Sequence, residues 1–289
     1  MKRILKVLPL VALAALTVAC DDFDMDFNGE RYESPFHYSY DLKPGGRLEV
    51  ETFNGSVEIR SWDQNKVDIS GVKYANSTAL RDAIRIEASG SPDSVSVRTI
   101  RPSDHHGNMG ARYVIRVPKN IMLDRIVSSN GAVKVEDVSG LVHARTSNGG
   151  VTLSRVNGDV DAQTSNGGIH LEEVSGNAVL HTSNGHIQVD HNKGPVQAET
   201  SNGGIDIGFD TAPKSDIRAT TSNSSITVTM PSSSGAHLRA NTSNGSITTD
   251  FETTMQGSLS KTHLEGTVNG GGPLLDLSTS NGSIKILKP

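Results

Sequence analysis

The sequence has little cysteine, few aromatic residues and no excess of basic charge. Cys20 is the only cysteine among 289 residues, so no disulfide can form within the chain, and burial and hydrogen bonds must hold the fold together. Aromatic residues make up 4% of the chain, which favours a narrow stack of short strands over a broad core. The net charge of −5 and the lack of a basic run argue against nucleic acid as a partner. After Cys20, only residues 78–86 show a short helical pattern.

The first nineteen residues have the features of a secretory signal peptide. A basic start precedes an apolar stretch, residues 4–18, that is too short to span a bilayer comfortably. The next segment, Leu16-Thr17-Val18-Ala19-Cys20, resembles the lipobox of bacterial lipoproteins, although Thr17 stands where an aliphatic residue is usual. The resemblance implies cleavage before Cys20 and attachment of lipid, including palmitate, which would anchor the chain to a membrane. The alternative is an ordinary cleaved signal with an incidental Cys20.

Three further segments are expected after the signal peptide. Residues 20–35 are acidic and poor in aliphatic side chains, which predicts a tether. Residues 36–127 alternate irregularly and predict a divergent N-terminal β cap with the first rungs. Residues 128–289 are repetitive, and the two parts are expected to form one domain.

A four-residue motif, Thr-Ser-Asn-Gly, recurs along the repetitive part of the chain. Its asparagines are Asn130, Asn148, Asn166, Asn184, Asn202, Asn223, Asn244 and Asn281; Ser128 replaces the threonine before Asn130, and Ser224 replaces the glycine after Asn223. The first five are 18 residues apart (148 − 130 = 18), and the next two steps are 21 residues (223 − 202 = 21). Alternating apolar residues flank each copy, so each unit is expected to be a strand, a turn and a second strand.

Two all-β folds fit this repeat. Asn-Gly between alternating runs is a strong hairpin signal and would give an antiparallel meander. In a meander, however, equivalent residues lie two strands apart, whereas in a solenoid they stack at about 4.8 Å and identical side chains form ladders. Asn223 is retained although Ser224 replaces the glycine that a hairpin turn needs. We therefore expect a β-solenoid, single-stranded and β-helix-like, with rungs of 18–21 residues.

The ends of the stack are also predicted. Leu48 to Ile59 resemble a divergent first rung, and residues 90–93 a hairpin turn in the cap. Leu275 to Ile286 are expected to form the last rung, with Lys285, Lys288 and Pro289 blunting its open edge.

These features together resemble the DUF4097 family, whose members are labelled adhesins from their architecture. The resemblance rests on residues 46–50, on residues 54–59 with Trp62, on residues 114–118, and on the tandem Ser-Asn-Gly rungs; it spans residues 36–289. It implies an exported, membrane-anchored β-solenoid of the bacterial envelope and no agreed catalytic site.

Three sets of side chains are candidates for a site. The asparagine column is expected to be a structural ladder within the turn, although stacked amides also suit a sugar- or ion-binding edge. The histidines do not repeat in any column, so we expect no metal site; they are His170, His181, His186 and His191, with His105 and His106 in a loop. The acidic residues Asp161, Glu172, Glu173 and Glu199 are expected to be a solvated face.

The sequence therefore predicts a lipid-anchored, non-enzymatic β-solenoid of the cell envelope, with an adhesin or scaffold role and no cofactor. Its partner would be an envelope protein or glycan. The alternative is a carbohydrate-active β-helix enzyme, a polysaccharide lyase or hydrolase, because such enzymes place carboxylates or a carboxylate–arginine set on one outer face.

Overall fold

A computed structural model describes residues 31–103, 107–255 and 260–289. The predicted signal peptide, Cys20, His105 and His106 lie outside these residues. Within them the chain forms strands β1 to β25 and one helix, α1 (Thr78–Ala83), which confirms the short helical pattern. Ser77 caps α1, since its hydroxyl accepts a hydrogen bond from the Leu80 amide.

The strands form two long sheets. Sheet A contains, in spatial order, β1 (Tyr32–Asp41), β4 (Lys66–Ala75), β7 (Met109–Pro118), β3 (Val57–Trp62), β9 (Val133–Glu136), β11 (Val151–Val156), β13 (Ile169–Val174), β15 (Ile187–Asp190), β17 (Ile205–Gly208), β19 (Ile226–Thr229), β25 (Ile284–Leu287) and β21 (Ile247–Thr249). Sheet B contains β22 (Thr253–Met255), β23 (His263–Val268), β20 (Ala236–Thr242), β24 (Leu274–Thr279), β18 (Ile217–Thr221), β16 (Val196–Glu199), β14 (Ala178–His181), β12 (Val160–Gln163), β10 (Val142–Thr146), β8 (Met122–Ser128), β2 (Arg47–Thr52), β6 (Ser94–Ile100) and β5 (Arg85–Ser91).

Each rung of the stack contributes one strand to each sheet, and neighbouring rungs pair in parallel. Val142 pairs with Val160, and Val151 pairs with Ile169, so residues 18 apart in sequence are neighbours in space. Alternate side chains from both sheets point inward and form one apolar core along the stack. The solenoid prediction is confirmed, and the meander is excluded.

In seven of the eight motif copies the glycine stands where neighbouring backbones approach closely, and Ser224 takes its place in the copy of Asn223. A Cβ on Gly167 would lie 1.9 Å from the carbonyl oxygen of Gly149, and a Cβ on Gly149 would lie 2.0 Å from that of Gly131. None of these three glycines has a positive φ. The glycine is thus explained by rung stacking and not by a hairpin turn.

The order of rungs in space differs from the order along the chain at both ends. The rung β6/β7 lies outside β2/β3, so residues 48–59 form the second rung in space. The rung β24/β25 lies between β18/β19 and β20/β21. The prediction that the C-terminal residues form the edge of the stack is therefore wrong. Its physical reason is that every motif copy offers the same donors and acceptors, so repeat identity does not specify neighbours.

Antiparallel strands cover both ends. At the N-terminal end, β1 and β4 extend sheet A, and β5 forms a hairpin with β6 through the predicted turn. Phe36, Tyr38 and Tyr40 of β1 pack against the core, and the Phe36 ring meets the Tyr113 ring at 5.3 Å. At the other end, β23 and β22 extend sheet B.

Two predicted boundaries change with this architecture. The segment 32–35 belongs to β1, so the tether prediction is wrong for those residues. The expected boundary at residue 128 falls at the end of β8, which pairs with β2 on one side and β10 on the other. The cap and the repetitive part share one core, because the same parallel pairing continues across the boundary.

A buried column is interrupted at one rung. Val138, Val156 and Val174 are each 1% exposed, and Asn192, 6% exposed, occupies the next position in the column. Its Nδ2 donates to the Gly194 carbonyl at 2.8 Å, but its Oδ1 is buried and has no hydrogen-bond partner. An unpaired buried oxygen costs about 1–3 kcal/mol.

We expect Asn192→Val to raise the free energy of unfolding by about 1–3 kcal/mol, because it removes a buried Oδ1 that has no partner and restores the valine of the column. The measurement is urea denaturation followed by circular dichroism. The reverse change, Val174→Asn, is the matched control and should destabilise the protein. A loss of stability in Asn192→Val would contradict the account.

Candidate functional site

The motif asparagines form one continuous ladder of side-chain hydrogen bonds. Each Nδ2 donates to the Oδ1 of the neighbouring rung, from Asn244 through Asn281, Asn223, Asn202, Asn184, Asn166 and Asn148 to Asn130, at 2.5–2.9 Å. Asn130 then donates to Asn54, which sequence reasoning had not included in the column. Asn54 ends the ladder by donating to the Met109 carbonyl at 2.9 Å.

The amides lie on the outside of the turn. Asn148, Asn166 and Asn184 are exposed, as are Ser147 and Ser165 beside them. The expected ladder within the turn therefore lies on the solvent-exposed side of the turn. The side chains stack along an exposed edge, because the turn directs the preceding threonine inward instead.

The buried polar column is made of the motif threonines. They are Thr146, Thr164, Thr182, Thr200, Thr221, Thr242 and Thr279, and all are at most 7% exposed. Each hydroxyl donates to a carbonyl of the neighbouring rung, as Thr164 does to Gly149 at 2.9 Å. The Thr164 hydroxyl also accepts from the Gly167 amide at 3.2 Å. The repetition of threonine two residues before the asparagine was the sequence feature that could have predicted this role.

The four predicted candidate histidines that lie on the rungs each contact an acidic residue on the next rung. His170 lies 3.9 Å from Asp190, His181 lies 3.8 Å from Glu199, and His186 lies 3.2 Å from Asp206. His191 contacts Asp210. All four imidazoles are exposed by more than a third, so the pairs are surface contacts between rungs. In the described part of the chain, no three His, Cys, Asp or Glu side chains are grouped to hold a metal ion.

The predicted acidic residues are not brought together. Asp161 and Glu199 lie in sheet B, in β12 and β16, whereas Glu172 lies in sheet A beside Asp190. Glu173 occupies a corner with a φ of 55°, in a column with Asp137, Arg155 and His191, all at positive φ. At this corner Arg155 donates to both carboxylate oxygens of Asp137, which lowers the pKa of Asp137.

A different charged set lines a cleft of about 380 Å³ on the outer face of sheet B. Its residues are Glu49, Asp124, Arg125, Val127, His143 and Arg145. A β-bulge creates it: Leu48 lies opposite Leu123, but the next residue, Glu49, lies opposite Arg125. Asp124 is therefore the extra residue, and the bulge exposes two successive side chains on one face. Strict alternation along the strand predicts only one outward residue between Leu123 and Ile126. The sequence analysis therefore did not identify this site.

The side chains of the cleft are held by neighbouring rungs. His143 Nδ1 lies 3.1 Å from the main-chain oxygen of Asp124. Arg145 lies 3.6 Å from Asp161, and Arg125 lies 3.4 Å from Glu51. Both guanidiniums are more than half exposed, so each keeps N–H donors that face solvent.

A second cavity, of about 540 Å³, lies at the head of the amide ladder and is lined by Asn54, Asn130, Tyr74, Arg31 and Arg112, among others. The charged side chains of this cavity contact one another. Arg31 and Arg112 both contact Glu33, and the Arg31 guanidinium lies 3.9 Å from the centroid of the Tyr74 ring. Burial raises the pKa of Tyr74, although the two arginines lower it.

We expect Thr164→Val to destabilise the protein more than Asn166→Ala. The valine leaves two backbone groups of a buried turn without partners, at about 1–3 kcal/mol, whereas the exposed amide contributes about 0.5–1.5 kcal/mol. Ser165→Ala, in the same exposed turn, is the control and should change stability by less than about 0.5 kcal/mol. Chemical denaturation ranks the three variants, and a greater loss for Asn166→Ala would assign the main stabilisation to the amide ladder.

Comparison with known proteins places this geometry in a family. The model of DUF4097, described as Toastrack, matches residues 46–287. No curated protein matches the sequence. Among the described residues, no helix is long and apolar enough to cross a membrane.

Solved structures from three bacteria match most of the length of the chain. A candidate adhesin from Bacteroides fragilis is 14% identical, with 88% of this chain and 97% of that chain covered and a TM-score of 0.50. A candidate cell adhesion protein from Clostridium sporogenes (11% identity, 89% and 100% covered) and a candidate adhesin from Parabacteroides distasonis (7%, 91% and 98%) have TM-scores of 0.30 and 0.31. The match to residues 46–287 covers most of the chain, and the chain therefore belongs to the DUF4097, or Toastrack, family.

Proposed function

We propose that the protein is a lipid-anchored, non-enzymatic adhesin or scaffold of the bacterial cell envelope. Residues 1–19 would act as the signal peptide and Cys20 as the acyl acceptor. The Bacteroides fragilis structure is described as a candidate adhesin, and we extend that role to this chain as part of the proposal.

The observation that supports this function is the continuous stack of parallel rungs. Ten rungs run from β6/β7 to β20/β21, and at about 4.8 Å per step they span roughly 43 Å. A single apolar core supports them, so the outward side chains keep fixed spacing along both sheets. An extended surface of this kind suits binding to another extended structure, such as an envelope protein or glycan.

Cys20→Ser tests the anchor. In a bacterial host that processes lipoproteins, we expect the wild-type chain in the detergent phase of a phase-partition experiment and the variant in the aqueous phase or unprocessed. Mass spectrometry of the N-terminal peptide should show acylated Cys20. Equal partitioning of the two proteins into the aqueous phase would rule out the lipoprotein anchor.

The cleft on sheet B gives a reason to keep a second function, a carbohydrate-active enzyme. Glu49, Asp124 and Arg145 come from three neighbouring rungs and share one face, as such a site requires. The carboxylates of this set differ from those considered in the sequence.

We expect the purified chain to release no reducing or unsaturated sugar from envelope or plant polysaccharides, because a binding surface needs no acid–base pair. The assay follows new reducing ends and absorbance of unsaturated products. Turnover that is lost in Asp124→Asn or Glu49→Gln, but retained in the sheet A control Glu172→Gln, would establish the enzyme instead.

A further inference from the structure

The charged cleft on sheet B continues into a second depression along the solenoid axis. This depression, of about 320 Å³, shares Val127 and Arg145 with the cleft and extends to Gln163, Thr164, His181 and Ser183. Together they form what we call the axial groove, which crosses strands β2, β8, β10, β12 and β14. Four strand spacings of about 4.8 Å give the groove a length of roughly 19 Å.

The two halves of the axial groove differ in chemistry. The cleft end carries two guanidiniums, Arg125 and Arg145, together with the carboxylates of Glu49 and Asp124. The other end is lined by serine hydroxyls, such as those of Ser147 and Ser165, and by the Gln163 amide. Hydroxyls and amides both donate and accept hydrogen bonds, which matches the hydroxyls of a sugar.

Arg125 and Arg145 are available to a ligand carboxylate. They lie on adjacent strands, β8 and β10. One guanidinium nitrogen of Arg125 lies 3.4 Å from Glu51, and one of Arg145 lies 3.6 Å from Asp161. Both side chains remain more than half exposed. A guanidinium has five N–H donors and prefers planar carboxylates, so both retain donors for a ligand.

Other linear ligands fit the groove less well. Val127 is the only apolar side chain among the described lining residues, so a peptide would find little for its apolar side chains. Single-stranded nucleic acids are held by aromatic side chains that stack on the bases, and none of the described lining residues is Phe, Tyr or Trp. The carboxylates of Glu49 and Asp124 can accept hydrogen bonds from sugar hydroxyls.

We propose that the axial groove binds an acidic oligosaccharide that lies parallel to the solenoid axis. Arg125 and Arg145 hold a sugar carboxylate, Glu49 and Asp124 accept hydrogen bonds from hydroxyls at the bulge, and the serines and Gln163 contact the following units. This inference rests on the proposed binding function and specifies its ligand class.

The test measures binding of the full-length chain in detergent to three probes by titration calorimetry: oligogalacturonate, oligoglucuronate and oligomannuronate. Each probe is compared with the same oligosaccharide after reduction of its carboxyls to alcohols. We expect at least one acidic probe to bind and its reduced form to bind about tenfold or more weakly, since hydrogen bonds between charged partners are lost.

The variants Arg145→Gln and Arg125→Gln should each weaken the acidic probe about tenfold or more. Arg218→Gln is the matched control, because Arg218 is an exposed arginine of the same sheet with an ion pair to Asp276 at 3.0 Å, outside the groove. The control should bind as the wild type does. Thermal melts verify that all three variants remain folded.

Three results would overturn the groove assignment: no binding of any acidic probe, an equal loss in Arg218→Gln, or equally tight binding of inorganic polyphosphate with the same loss in Arg145→Gln. The proposed function is tested separately by pull-down of bacterial envelope preparations. If the wild type and Arg145→Gln bind these equally, only the groove inference fails. If the wild type binds neither envelope nor probe, the proposed function fails with it.

Discussion

Parallel pairing of equivalent residues on adjacent rungs is the constraint on which the rest of the structure depends. Because Val142 pairs with Val160 and Val151 with Ile169, every feature of one rung must fit against its own copy. The motif glycine is needed where backbones approach too closely for a Cβ. Small and β-branched side chains fill the narrow core between the sheets, and the few large rings lie mainly at the N-terminal end, where Phe36 and Tyr113 pack together.

The motif threonines and the motif asparagines form two polar columns with different roles. The threonine hydroxyls are buried and satisfy backbone groups within and between rungs, while the asparagine amides stack outside and all donate in one direction. Aligned amides polarise one another, so the ladder adds cohesion along the axis. Neither column carries charge or varies between rungs. Charge differs from rung to rung at the outward positions of the strands, and the charged cleft arises there through the Asp124 bulge.

The sequence was sufficient to predict how a rung is built and that rungs stack. Period-two alternation identified the inward residues, and the retention of Asn223 beside Ser224 separated stacking from hairpins; Asn223 indeed bonds Asn202 and Asn281. The order of rungs was not predictable, because near-identical copies compete equally for each neighbour. The cleft was also beyond sequence reasoning, since alternation assumes no bulge and Glu49 and Asp124 are 75 residues apart (124 − 49 = 75).

The position of the rung β24/β25 affects how the chain can be assembled. Residues 274–287 are synthesised after residues 236–249, yet they fill a gap between β18/β19 and β20/β21. The solenoid therefore cannot be completed by adding rungs in the order in which they emerge from a ribosome or a translocation pore. Residues 274–287 connect β20/β21 to the rest of the stack. Loss of residues 274–289, which are sixteen residues (289 − 273 = 16), would remove an interior rung and separate β20/β21 from the stack. A chain shortened at its C-terminus is thus incomplete in the middle of the fold and not at its end.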